Sequence, residues 1–539
     1  MAEFSEPIKK LIAQYGLSKN QTSQTTEPTI HVDEVASKVA AFYEQIRTVV
    51  EWKEEHLMRR AAIIRKLKRK FFDLELNGFS TQSETGESLI LELIRGGHLP
   101  NDKIPEIKIE EVQNVIDRYA FFLKNSPENK DGKAGLGFRD WLLEVAACEI
   151  EDTLIPSIRE KALMDFMFTL MKEKIKVSDK IYESGLLKKD RTDLQIYIAV
   201  QQSLFKLDKP IISYNLLTYK FPKWKKNDEQ FLTGISQAIL KIWQNIENDL
   251  SNPFANKFYI ICEKYDTPYL LLGDILSEEN VIQNKDILNP AKLEPLIKKA
   301  YSKRLSTLKT RTKRAAIYST ISIFVTKILS LFLLLVLLSK LIPAENQSVI
   351  MLIVDVLVPT LLMFTMISLI KNPSEDNLNI VVMETMKIVY KKEITDTYEI
   401  KMKQKKSTLM RVIISLMYVA STFVSFGAIY FAFNYFGFPI SSIVINMIFI
   451  ALILFTGTAL SKRAQELTIE EEKESFLSFM IDIFFLPVQG LGQWISTKWK
   501  KYNAVAVVLN ALIDMPFSAL VEFLEKWRYF IKEKKEEMR

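Results

Sequence analysis

STISIFVTKILSLFLLLVLLSKLI, residues 319–342, is the stretch of sequence that decides the fold. A helix needs about 20 largely apolar residues to cross the hydrocarbon of a bilayer, because hydrocarbon offers no partner to free backbone groups. Three later stretches have the same length and character, at 348–370, 412–436 and 440–460. The sequence therefore predicts two transmembrane helical hairpins, over residues 315–371 and 412–461.

The flanks of these four segments predict their orientation. The two short links, PAENQ at 343–347 and GFP at 437–439, contain no Lys or Arg. Basic residues crowd the other flanks, at 303–314, 371–411 and 462–463. Because short basic flanks stay in the cytoplasm, we expect a multi-pass protein of the cytoplasmic (inner) membrane with both termini inside.

The C-terminal region after residue 474 is apolar but interrupted. Its first stretch contains Asp482 and Pro487, and the connection that follows is rich in lysine. A span ending there would place those lysines outside, against the charge pattern. We therefore expect residues 462–539 to form interfacial amphipathic or re-entrant helices on the cytoplasmic face, followed by a charged tail.

The rest of the chain has the composition of an all-α protein. It holds 16 Gly and 18 Pro in 539 residues, and this scarcity of turn formers favours helices. The helix beginning at Pro290 is expected to continue into the first membrane segment. The predicted parts are a flexible segment at 1–30, a cytoplasmic helical domain at 31–314 and a cytoplasmic helical connector at 372–411.

A heptad seam opens the predicted helical domain. Its apolar positions alternate three and four residues apart, which is the coiled-coil pattern, and they are Val32, Val35, Val39, Phe42, Ile46 and Val49. We expect one helix from His31 to about Leu76. Its seam packs either against a helix of the same chain or against a protein partner or a second copy.

The densest basic cluster lies in the second half of that helix. No acid occurs between His56 and Phe72. Two interpretations stay open, a solvated helix face and a contact with anionic membrane lipids. Nucleic acid is not an expected partner, because base-stacking aromatics are not interleaved. The cluster comprises Arg59, Arg60, Arg65, Lys66, Lys68, Arg69 and Lys70.

Charges inside the apolar segments mark the candidate site. Asp355 lies in the second segment, and Pro359 removes the N–H that would bond the carbonyl of residue 355. Reflection of the hairpin about its loop puts Lys340 about 8 Å and Lys327 about 12 Å from Asp355 along the helix axis. Lys340 is therefore the expected ion-pair partner, and Lys327 is expected to reach the cytoplasmic interface. In the second hairpin, Asn446 is expected to hydrogen-bond across to the opposite helix.

No motif in the sequence indicates a reaction. The three histidines lie far apart, the two cysteines form no ligand pair, and no phosphate loop or nucleophile elbow occurs. The sequence therefore predicts no catalytic residue, no metal site and no cofactor.

Two blocks of the sequence resemble an uncharacterised multi-pass membrane protein family of reduced-genome bacteria. They begin with EWKEEH at residue 51, running to Arg69, and with Asp482, running to Trp494. The resemblance implies no activity and no functional residues. The leading hypothesis is a non-enzymatic, membrane-anchored scaffold or assembly component. The alternative is a transporter or channel subunit that uses Asp355, and an enzyme ranks third.

Overall fold

The computed structural model describes most of the chain as α-helix. The described residues are 6–22, 28–32, 55–76, 85–127, 132–226, 228–278, 289–333, 349–371, 373–390, 397–402, 407–469, 476–502 and scattered positions between 523 and 537. The predicted all-α class is confirmed. The chain divides into two compact units. We call them the N-terminal unit, residues 4–266 with 393–401 and 507–539, and the apolar unit, residues 267–392 with 402–506.

The N-terminal unit is a helical domain built around one buried helix. Its helices are α1 (Glu6–Thr22), α2 (Glu55–Leu76), α3 (Thr85–Arg95), α4 (Ile107–Asn125), α5 (Gly132–Leu154), α6 (Ile158–Lys174), α7 (Asp179–Glu183), α8 (Thr192–Phe205), α9 (Lys209–Lys220), α10 (Glu229–Leu250) and α11 (Ala255–Lys264). α5 is central, since α2, α4 and α9 all pack on it. α5 ends at Leu154, just before Pro156, because proline offers no N–H to the helix ladder.

Within the segment expected to be flexible, residues 1–30, the described residues Glu6–Thr22 form a packed helix. α1 lies against α6 and buries Ile8, Leu11 and Tyr15. Those residues follow the spacing of one helix face, a pattern that the polar stretch after Ser18 obscures.

The long helix predicted from His31 does not begin there. Residues 28–32 are extended, with a bridge between Thr29 and Pro105, and the backbone N–H of Ile30 donates to the carbonyl of Ile104 at 2.9 Å. The rest of the predicted heptad seam, residues 33–54, lies outside the described residues. The predicted end at Leu76 agrees with the end of α2.

Two short strands complete the N-terminal unit. β1 (Ile175–Val177) pairs in parallel with β2 (Tyr398–Ile400), and Lys176 lies opposite Glu399. β2 comes from the predicted connector, more than 200 residues further along the chain. The ring of Tyr398 stacks on that of Tyr265 at 4.5 Å between centroids. The connector is therefore partly a component of this domain.

The apolar unit contains the helices predicted to meet the membrane. They are α12 (Asp266–Ser277), α13 (Pro290–Leu333), α14 (Val349–Ser368), α15 (Glu375–Val389), α16 (Thr408–Tyr435), α17 (Ile440–Ala464) and α18 (Phe476–Tyr502). Only the first residue of α12, Asp266, belongs to the N-terminal unit. Among the described residues, α13, α16 and α17 are long and apolar enough to cross a membrane, and α14 is a shorter apolar helix. α13 runs without a break from Pro290 into the first predicted segment, where the described residues end at Leu333.

α18 differs from the interfacial elements predicted for the C-terminal region. It is one helix of 27 residues that continues through Pro487, and it packs on α16 and α17. The hydroxyl of Ser421, midway along α16, donates to the carbonyl of Ile483 at 2.6 Å. A Cβ added to Gly492 would lie 2.1 Å from the carbonyl oxygen of Ala451, midway along α17. Small residues thus let α18 approach the middle of these helices, which the interrupted composition did not predict.

Candidate functional site

Four polar side chains meet inside the apolar unit. Lys327 comes from α13, Asp355 from α14, and Ser442 and Asn446 from α17. Ser442 and Asn446 are four residues apart and therefore share one face of α17. The positions next to these four residues are largely apolar, so the four polar groups have one another as partners. We call these four residues the polar cluster.

The polar cluster is held together by direct contacts. Lys327 Nζ lies 3.0 Å from Asp355 Oδ2 and donates a hydrogen bond to Asn446 Oδ1 at 3.0 Å. Asp355 Oδ1 accepts a hydrogen bond from Ser442 Oγ at 2.7 Å and another from Asn446 Nδ2. Asn446 therefore bridges the two charges, with its oxygen toward the ammonium and its amide nitrogen toward the carboxylate.

Water is excluded from this ion pair. The side chains of Lys327 and Asp355 are 0% and 3% exposed, and Asn446 is fully buried as well. The ammonium also lies 5.0 Å from the ring centre of Phe449, which attracts cations through its electron-rich face. A buried pair of charges is tolerated only when each is paired and hydrogen-bonded, and this cluster meets that condition. It joins three helices at a single point.

Two predictions for this region are wrong. Lys327 does not reach an interface, because it is buried and is itself the partner of Asp355. Asn446 contacts the first hairpin instead of the facing helix of its own hairpin. Reflection about a loop assumes that the two helices are in register. In the structure they are offset, because Asp355 lies level with Lys327, about 12 Å along the helix axis from the position that reflection gives. Lys340 lies outside the described residues, and Pro359 is buried within α14.

The sequence does contain a pattern that predicts this cluster. Ser442 and Asn446 recur at a spacing of four in an apolar helix, so both face the same neighbour. Two isolated charges and a polar pair in apolar helices predict a shared contact, because each needs a partner away from water.

The basic cluster of α2 has intramolecular partners. Lys66 and Arg69 each lie 2.9 Å from a carboxylate oxygen of Glu92 in α3, and Lys70 lies 3.7 Å from the same residue. Lys68 pairs with Asp140 at 2.6 Å. Burial opposes ionisation of Glu92, but Lys66, Arg69 and Lys70 outweigh it and hold the pKa of this carboxyl below its ordinary value.

The remaining residues of the cluster point into the domain. Arg59 donates to the carbonyl of His98 at 2.9 Å and lies 3.4 Å from Glu151. Arg60 is 3% exposed and pairs with Asp208. Arg65 is partly buried. The cluster therefore joins α2 to α3 and α5 through acids that come from other helices, and the lipid contact stays a prediction.

A second buried ion pair lies in the N-terminal unit. Arg118 Nη1 donates to Glu149 Oε1 at 3.1 Å, and both side chains are at most 3% exposed. Glu149 Oε2 accepts from Tyr119 Oη at 2.8 Å and from Trp224 Nε1 at 3.0 Å. Beside it opens a cleft of about 600 Å³, where Asp152 already pairs with Lys161 and Lys225.

The groups that could support catalysis or metal binding are few. Among the described residues, no set of three His, Cys, Asp or Glu side chains could hold a metal ion. Cys148 and Cys262 are buried, and burial raises the pKa of both thiols. Because the thiolate is the reactive form, neither cysteine is suited to act as a nucleophile.

No protein-family model, no curated protein and no solved structure matches the chain. The resemblance in layout described above therefore stays a prediction.

Proposed function

We propose that this protein is a multi-pass membrane scaffold in which the apolar unit anchors a large cytoplasmic domain. Large apolar side chains remain exposed along α13, α14, α16 and α17, including Phe324, Leu361, Phe423 and Val444. Exposed apolar surface of this extent needs a nonaqueous neighbour. The four apolar segments and their basic flanks support a bilayer as that neighbour, with the N-terminal unit in the cytoplasm.

The pairing of β1 with β2 carries the scaffold proposal. The chain passes from the N-terminal unit into the apolar unit after residue 266. Residues 393–401, between α15 and α16, belong to the N-terminal unit again. The backbone N–H of Ser178 also donates to the carbonyl of Ile400 at 3.1 Å. The chain thus crosses between the two units more than twice, and several covalent connections hold a domain more firmly than one flexible linker, which suits a surface that assembles partners.

The scaffold proposal is tested by cross-linking in native membranes followed by purification of the full chain. Lys176 is the exposed middle residue of β1. Its N–H faces β2, because the N–H of Ser178, two residues on, donates to Ile400 and alternate residues of a strand face the same neighbour. Lys176→Pro therefore removes a backbone N–H of the pairing without changing the core, and Lys176→Gln keeps it. We expect the same cross-linked partners, or second copy, with the wild type and Lys176→Gln, and several-fold less with Lys176→Pro. Absence of any specific partner from the wild type would overturn the proposal.

Transport is the second candidate, and the buried pair of Lys327 and Asp355 favours it. Ionisable side chains inside membrane helices often mark ion or proton paths, and a lysine can release its proton where an arginine cannot. Flux of protons or cations into proteoliposomes that disappears in Asp355→Asn would favour transport. Equal permeability of wild type, variant and protein-free vesicles would remove this candidate.

A further inference from the structure

A second set of basic residues lies on α13 and differs from the cluster on α2. Lys309, Arg311, Lys313 and Arg314 are all exposed. None of these four side chains has an acidic partner among the described residues. Arg304, one turn earlier, is already paired with Asp274. The charge of this part of α13 is therefore available to a ligand outside the chain.

The packing of α13 brings basic residues of two other helices to the same level. Ala315 is buried in an apolar cluster with Met363 and Leu460, against which Ile367 and Ile370 also pack. The residues just beyond this cluster end the apolar part of each helix. We call them the basic ring, and they are Arg311, Lys313 and Arg314 from α13, Lys371 after α14, and Lys462 and Arg463 from α17.

The neighbouring acids do not neutralise the basic ring. Glu375 and Asp376 occupy the first turn of α15, and Glu466 follows α17. All three are exposed, so solvent screens their effect. Among the described residues, six basic side chains thus stand against three acids at this end of the apolar unit.

We propose that the basic ring binds the phosphate headgroups of anionic membrane lipids. Arginine offers a planar fork that matches phosphate oxygens, and lysine adds compact charge. A lipid fits better than a free phosphate because Ile317, Tyr318 and Ile321 continue from the ring as an exposed apolar surface, along which acyl chains can lie. This inference rests on the proposed membrane insertion of the apolar unit.

The test uses the full-length protein in phosphatidylcholine vesicles with spin-labelled lipids. Electron paramagnetic resonance measures how much labelled phosphatidylglycerol, relative to labelled phosphatidylcholine, is immobilised at the protein surface. We expect a preference of about fivefold for phosphatidylglycerol, since basic residues near the surface attract anionic lipid. Soluble glycerol phosphate should not displace the lipid. If it does, the site takes the phosphate group alone and the lipid proposal fails.

The ring variant carries Arg311→Gln, Lys313→Gln, Arg314→Gln, Lys462→Gln and Arg463→Gln. Its preference should fall to about one. A control loses five exposed lysines of the N-terminal unit that have no acidic partner among the described residues, through Lys176→Gln, Lys188→Gln, Lys223→Gln, Lys226→Gln and Lys241→Gln. It should keep the preference.

A variant that gains binding separates an effect on the lipid site from a failure to fold. Glu375→Gln with Glu466→Gln removes two acids beside the ring and should raise the preference for phosphatidylglycerol about twofold. Equal immobilisation of both lipids by the wild type would overturn the headgroup site while leaving membrane insertion intact. No immobilised lipid of either kind would overturn membrane insertion itself.

Discussion

Two buried ion pairs, one in each unit of the molecule, solve the same problem with different chemistry. In the N-terminal unit Arg118 and Glu149 are enclosed by Tyr119 and Trp224, and the aromatic donors share one carboxylate oxygen. In the apolar unit Lys327 and Asp355 are bridged by one amide. Arginine stays charged at all physiological pH values, whereas a buried lysine can lose its proton. Removal of the acid would therefore leave a fixed charge in the first site and a lysine in the second.

The largest effect is expected from Glu149→Ala. It leaves Arg118 charged, buried and unpaired, and it deprives Tyr119 and Trp224 of their acceptor. Breaking such a pair from one side costs about 3–5 kcal/mol of unfolding free energy. Urea unfolding of the full chain in mild detergent, followed by hydrogen exchange in α4 and α5, measures the loss. Glu173→Ala, at an exposed position of α6, is the matched control and should change stability little.

Asp355→Ala should cost less, about 2–3 kcal/mol, because Lys327 can release its proton once its partner is gone. The loss is measured in the apolar unit by titration with sodium dodecyl sulfate. Thr365→Ala removes an exposed hydroxyl from the same helix and should have no effect. A loss equal to that of Glu149→Ala would show that the two pairs do not differ as argued.

Glu151, a buried carboxyl two residues after Glu149, should make the stability of the N-terminal unit depend on pH. Burial raises the pKa of this carboxyl to about 7, against the opposing pull of Arg59 and Arg60. The folded chain thus holds the proton more tightly than the unfolded chain, where the carboxyl titrates near 4.5. This contribution is complete below the unfolded pKa and is lost as the pH rises to about 7. Between pH 5 and pH 8, the wild type should lose about 2 kcal/mol more unfolding free energy than Glu151→Gln does. Identical pH profiles of the two proteins would contradict the shift.

The smallest effect concerns packing in the apolar unit. Gly492→Ala should destabilise the contact of α18 with α17 by about 1–2 kcal/mol, because its Cβ would meet the Ala451 carbonyl. Gly427 in α16 has no atom within 4 Å of an added Cβ, so Gly427→Ala should be neutral or stabilising by up to about 1 kcal/mol. Dodecyl sulfate titration compares the two. Equal effects would mean that α18 does not pack closely at Gly492.

The sequence predicted the helices well and their partners poorly. Apolar periodicity depends on neighbours three and four residues apart, so the predicted end of α2 at Leu76 and the predicted start of α13 at Pro290 agree with the structure. Partners depend on elements far apart in sequence. The acids that pair with the α2 cluster come from α3, α5 and the residue before α9, and Asn446 comes from the other hairpin. A three-residue strand such as β2 carries no pattern long enough to recognise.

The basic residues of α13 also show that partners cannot be predicted from the sequence. In the sequence, its basic residues indicate only which side of the membrane the helix end faces. The structure shows that they lack acidic partners among the described residues, whereas most of the α2 residues singled out for lipid contact pair with acids. A count of charges cannot separate these cases, because pairing depends on the acids that folding brings near.

The most direct test of the account is the stability of a double variant, Lys327→Met with Asp355→Leu, compared with both single variants. If the pair serves to join α13, α14 and α17, the apolar replacements should restore the unfolding free energy to within about 1 kcal/mol of the wild type, as replacement of a whole buried ion pair often does. Each single variant should remain less stable than the double. A double variant that unfolds as readily as the less stable single variant would contradict the role of this pair in holding the apolar unit together.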